Sequence, residues 1–241
     1  FTNEDLSKLN LDGGVTDDAE KCNKIIVDGN DVNFDGKEFW KSFDVNGDNF
    51  KVGNIHSYKG NDVVSVAGNK ANTGNIELAG TSSTLNVSGN DAKLGDVYGS
   101  GASSVNISGN NVTVGNITTV APVAAATKAA GGNNIVISGN GTKTGELKTG
   151  TLEITGNGTL EDGDVSNVEK IIIQSTATGK VLKAAGIGDK LDVDKSKTNE
   201  TTALFSNDYA ASYDANNDCI MNTRTQSIRE QSKSYVETQM A

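Results

Sequence analysis

The residues able to do chemistry are few and far apart. The chain carries one histidine, His56, and two cysteines, Cys22 and Cys219. His56 follows the apolar Ile55, and no serine or cysteine stands with it in a nucleophile motif, so it reads as a surface residue rather than a general base. Two segments begin like calcium loops, Asp44-x-Asn46-x-Asp48 and Asp214-x-Asn216-x-Asp218. Both lack the glycine at position six and the glutamate at position twelve, where Ile55 and Thr225 stand, so neither completes a calcium cage. No catalytic residue, metal or cofactor is expected from these groups.

One polar position does recur. A glycine followed by an asparagine or aspartate comes round at Asn30, Asp48, Asn69, Asn90, Asn110, Asn140 and Asn157. If the copies are stacked in register, these side chains form a column in which amides bond to one another, as in other asparagine ladders. That role is structural. The triplets Asn-x-Ser/Thr at Asn86, Asn106, Asn111 and Asn140 follow from outward polar residues at alternate positions and are not read as glycosylation sites.

The elements that must carry this column are legible from the glycines. They fall at Gly29, Gly47, Gly68, Gly89, Gly109, Gly139 and Gly156, spaced by 18, 21, 21, 20, 30 and 17 residues. Six or seven residues after each comes another: Gly36, Gly53, Gly74, Gly95, Gly115, Gly145 and Gly163. Before each first glycine, apolar and polar residues alternate with the period of a half-buried strand: Ile25/Val27, Phe43/Val45, Val64/Val66, Leu85/Val87, Val105/Ile107, Ile135/Ile137 and Leu152/Ile154. A second short strand follows, with Val32/Phe34, Phe50/Val52, Ala71/Thr73, Ala92/Leu94 and Val112/Val114. A third side is marked by Ile55, Ile76, Val97 and Ile117. The Gly-Asn corner is expected to bend because both residues tolerate positive φ.

Three inward sides per coil of about 20 residues describe a right-handed parallel β-helix, an all-β solenoid. Composition agrees: 28 glycines, one proline and 5% aromatic residues among 241 leave a thin core of small aliphatics. The predicted organisation is an N-terminal cap or truncated rung over 1–23, a β-helix over 24–194 with irregular closing coils, a polar junction over 195–219, and a short C-terminal α-helix over 220–241. Thr223 and Gln226 fit a capping box for that helix. Seven rungs of about 4.8 Å set the ends of the array about 30 Å apart, beyond the roughly 7 Å a disulfide spans between Cα atoms. Cys22 and Cys219 therefore pair only if the C-terminal tail folds back.

The 30-residue interval leaves a surplus over Thr118–Gly132, which contains the only proline. It is either a tolerated insertion or a binding loop, with Thr119, Pro122 and Lys128 as candidate contacts. The formal charge of −10 and the absence of clustered Lys and Arg speak against nucleic acid as a partner. No run of 18 apolar residues is present to span a bilayer as a helix. The chain opens at Phe1, as expected of a fragment or mature product.

Glycine- and asparagine-rich coils, an irregular closing segment and the terminal stretch Cys219–Ala241 together resemble the passenger domain of a bacterial autotransporter, with that stretch similar to the linker helix before the membrane barrel. The resemblance implies a secreted protein at the bacterial cell surface, anchored through an outer-membrane barrel of the same polypeptide and serving adhesion, self-association or biofilm formation. Its partners would be host glycans, surface proteins or another copy of itself. By the same resemblance, the coils around 165–217 would stabilise folding after export. A β-helical carbohydrate-active enzyme, a phage tail-spike domain and a purely structural stalk are the alternatives.

Overall fold

A computed structural model describes residues 24–57, 60–80, 82–119, 133–177, 179–188, 190–194 and 196, and the strands 202–206, 209–213 and 219–223. Parallel strands stack as a β-solenoid of about eight turns, and the described residues contain no helix. The first side runs through Lys24–Val27, Ser42–Val45, Val63–Val66, Ser83–Val87, Ser103–Ile107 and Asn134–Ile137, and continues in the long strands Thr142–Gly156 and Leu160–Ser175 and then Leu191–Val193. Its register is that of the repeat: Ile25 pairs with Phe43, Val64 with Leu85, Val87 with Ile107, Ile137 with Ile154 and Ile173 with Val193. The second side joins Asn33–Phe34 to Lys51–Val52 and is carried on by single bridges from Lys51 through Asn72, Lys93 and Thr113 to Lys143. The third links Phe39, Ile55, Ile76, Val97, Ile117 and Leu147.

Alternation decides what is inside. Every residue assigned inward on the three sides of the first five coils is buried, Thr73 included. In the first coils the three sides meet through aromatics: Phe34, Phe39, Phe43 and Phe50 pack with ring centroids 5.0–5.9 Å apart, within the range of favourable edge and tilted contacts. Later coils fill the same space with Val, Ile and Leu.

Five of the corner glycines are required for a reason other than the expected one, while Gly156, with φ at 54° and no atom nearer than 3.7 Å to a Cβ, is the corner where positive φ selects glycine. At Gly47, Gly68, Gly89, Gly109 and Gly139 a Cβ would overlap the carbonyl oxygen of the corner glycine one rung before. Close approach of stacked backbones therefore selects glycine. Positive φ falls two residues later, on Asp31, Asn49, Lys70, Asp91 and Asn111 at 55–58°, and on Gly141 at 82°. Asn and Asp tolerate that left-handed region better than other side chains. The backbone N–H of each non-glycine member donates to the carbonyl of the next rung's ladder residue, at 2.8–2.9 Å.

The stack ends differently from expectation. Thr202–Ser206 continues the parallel order beside Gly179–Ala184, but Tyr209–Tyr213 and Cys219–Thr223 then pair antiparallel, one after the other. Two of these strands lie in the 195–219 span read as a junction, and residues 220–223, read as the start of the helix, belong to the last strand. Polar, turn-rich composition hid short strands whose pairing comes from the preceding edge. The remainder of the expected helix, from 224, the N-terminal cap at 1–23 and Cys22 lie outside the described residues.

Candidate functional site

On the third side, the residue after each inward one points outward. The pairing that aligns Ile55, Ile76, Val97 and Ile117 therefore also aligns His56, Glu77, Tyr98 and Thr118, one per rung. Lys148 follows beside Thr118. Trp40, next to Phe39, stands at the other end, its ring stacked on His56 at 4.7 Å and 7°. Trp40 and Tyr98 are 40% and 44% exposed.

His56 bridges three rungs. Its Nε2 lies 2.5 Å from Glu38 Oε1 and its Nδ1 lies 3.2 Å from Glu77 Oε2. Only a doubly protonated ring donates to both carboxylates at once. The hydrogen bond to His56 is the main reason that Glu38 is held below the usual carboxylate range, with the His56 charge and a bond from Asn54 adding to it. Both ring nitrogens thus face carboxylate oxygens of neighbouring rungs.

Beside this row stands a second ladder. Asn75, Asp96, Asn116 and Glu146 each donate their backbone N–H to the Oδ1 of the ladder residue one rung before, Asn54, Asn75, Asp96 and Asn116 respectively, all at 2.9 Å. Gly74, Gly95, Gly115 and Gly145 leave room for those side chains, since a Cβ at each would strike the Oδ1. Among the described residues, the Nδ2 groups of Asn75 and Asn116 have no protein partner. Between ladder and row runs an open groove of about 460 Å³, floored by Ile76 and Val97 and lined by Asn54, His56, Asn75, Glu77, Asp96, Tyr98, Asn116 and Thr118.

The expected first ladder is present with a different bond. Asp48, Asn69, Asn90, Asn110 and Asn140 each donate their backbone N–H to the Oδ1 of the preceding member, beginning at Asn30, at 2.8–3.0 Å. Only an acceptor is used, which is why Asp48 fits a column of asparagines; an amide-to-amide ladder would lose its donor there. Asn157 leaves the column: Gly141 N–H, whose counterpart Asn111 N–H donates to the carbonyl of Asn140, donates instead to Thr159 Oγ1 at 2.7 Å, and Asn157 Oδ1 accepts from Thr176. Asn106 donates to Asn86 at 2.8 Å on the outward first side, so that triplet too is lattice between rungs.

Of the candidate loop contacts, Thr119 is fully buried. Its Oγ1 lies 2.6 Å from Thr149 Oγ1 and 3.2 Å from Asn133 Oδ1, so it clamps the stem of the insertion instead of facing a ligand. The stack crosses the insertion in register, Ser104 pairing with Asn134. Pro122 and Lys128 lie outside the described residues. In the first calcium-like segment, Asp44 pairs with Lys24 at 2.9 Å, Asn46 donates to Asp28 at 2.8 Å and Asp48 serves the ladder. These groups point to neighbouring rungs and do not converge. The second such segment, at 214–218, is outside the described residues.

The chain matches no family model, no curated protein and no solved structure. Sequence reasoning read His56 as a surface residue, whereas it is partly buried among Glu38, Trp40 and Glu77, companions that, like Tyr98, it missed. For Glu77 and Tyr98 the signal was there, one position downstream of the inward Ile76 and Val97.

Proposed function

We propose that the chain is a non-catalytic adhesive rod, the passenger part of a secreted bacterial autotransporter-type protein displayed outside the cell, with the third-side groove as its contact surface. A right-handed coil suits it, since parallel crossovers take that hand almost without exception. The stretch from 224 would lead toward the membrane barrel that the resemblance implies. The observation that carries the reading is the Trp40–His56–Glu77–Tyr98–Thr118 row: half-exposed aromatics and a carboxylate, aligned by strand pairing beside a groove on a rigid stack. Exposed aromatic and polar groups held rigid contribute to binding without a large ordering cost. Both nitrogens of the one histidine are occupied, which supports binding over turnover.

Beads coated with the 241-residue chain test this. They are expected to attach to cells or to clump, and Tyr98→Ala with Glu77→Ala should abolish attachment while leaving the circular dichroism of the rod unchanged. Coated beads that neither attach nor clump would sink the proposal.

A further inference from the structure

We infer that the groove takes a linear β-linked glycan free of acidic groups, laid along the stack with about one sugar per rung. This deepens the adhesive reading and rests on it for the choice of face. The rise of one pyranose in an extended β-linked chain is close to the rung spacing of about 4.8 Å. Successive sugars thus meet equivalent positions on successive rungs. Tyr98 offers a half-exposed aromatic face to the C–H side of a sugar ring. Asn75 and Asn116 supply Nδ2 donors, Thr118 a hydroxyl, and Glu77 and Asp96 carboxylate acceptors, a mixture that suits hydroxyl groups, which both donate and accept.

Charge sets the class. The lining contains no lysine or arginine, the row's Lys148 standing one rung beyond Thr118, and the one histidine of the lining already faces Glu38 and Glu77. A uronate or sulfate would therefore sit against the Glu77 and Asp96 carboxylates unpaired, whereas an amino group would gain from them and from the Tyr98 face. An extended peptide adding itself as a strand is disfavoured, because backbone groups of this wall are already bonded rung to rung: Ile76 N–H donates to Asp96 and Val97 N–H to Asn116, both at 2.8 Å. The lysines Lys51, Lys93 and Lys143 stand on a different side, the second, and serve as a control.

The experiment titrates the full chain with three β-linked or acidic hexamers: cellohexaose, hexaglucosamine and hexagalacturonate. Binding is followed by calorimetry and by the fluorescence of Trp40, the one tryptophan, stacked on the groove residue His56. Saturable binding is expected for hexaglucosamine first and cellohexaose second, with none for hexagalacturonate. Tyr98→Ala should weaken both by about tenfold or more, and Tyr98→Phe should restore them. Glu77→Gln should remove the preference for the amine while neutral binding persists, and Lys93→Ala should change nothing. The inference is overturned if no hexamer binds, if hexagalacturonate binds best, or if Tyr98→Ala binds as tightly as the parent. Coated beads assayed alongside separate the two proposals: attachment without hexamer binding defeats the glycan and leaves the adhesive reading, while hexamer binding without attachment does the reverse.

Discussion

Asn110 and Gly89 show how much one atom decides in a stacked corner. Asn110 accepts from Asn140 N–H through Oδ1 alone, so Asn110→Asp should be nearly neutral, whereas Asn110→Ala, which strands that N–H, should cost about 1 kcal/mol in urea unfolding. Equal losses from the two variants would mean that the Nδ2 group carries the ladder after all. Gly89→Ala would drive a Cβ into the carbonyl oxygen of Gly68 and should cost about 3 kcal/mol. Asp91→Gly, at the positive-φ position, should be tolerated; the opposite ranking would restore the turn explanation for the glycine. Acid sensitivity belongs to this scale too. Glu38 and Asp164 are both held below their ordinary values, mainly by hydrogen bonds from His56 and Ser166 respectively. For groups depressed on folding, stability is present in full above the unfolded values, near 4.5 and 3.8, and drains away as pH falls through the folded ones. The urea midpoint should therefore decline below about pH 4.5, and Glu38→Gln should flatten that decline.

Among the elements, the short strands of the third side do two jobs with alternate residues. Their inward members Ile55, Ile76, Val97 and Ile117 were identified from the repeat and are buried. The outward members do not stand out as a set in the sequence, because an exposed position has no apolar pattern to reveal it. His56, Glu77 and Tyr98 become a group only once the register is known, since they are about 20 residues apart in the chain and share no motif. Glu38 and Trp40 were harder still: the third side of the first coil precedes Ile55 by an irregular step, and its Phe39 does not align by glycine spacing. The antiparallel strands after residue 202 escaped for a related reason. Their partners are the edge of the stack and one another, and neither imposes the glycine pattern.

At the scale of the whole molecule, a rod in which each rung touches only its neighbours propagates damage along its axis. Val87 is fully buried and lies in register between Val66 and Ile107. Val87→Asp should thus cost several kcal/mol, of the order of the net stability, and remove the β signal and the melting transition together. An unchanged spectrum would show the register to be wrong. The sequence by itself determined the solenoid: the interval between glycines, the three inward rows and the ladder positions are local periodicities, and periodicity is what a repeat must preserve to stack. Only the tertiary structure decided which atoms of the ladder bond, why glycine is demanded at the corners, and which outward side chains stand together at the groove. Those depend on distances between rungs, and residues that are neighbours across rungs are strangers along the chain.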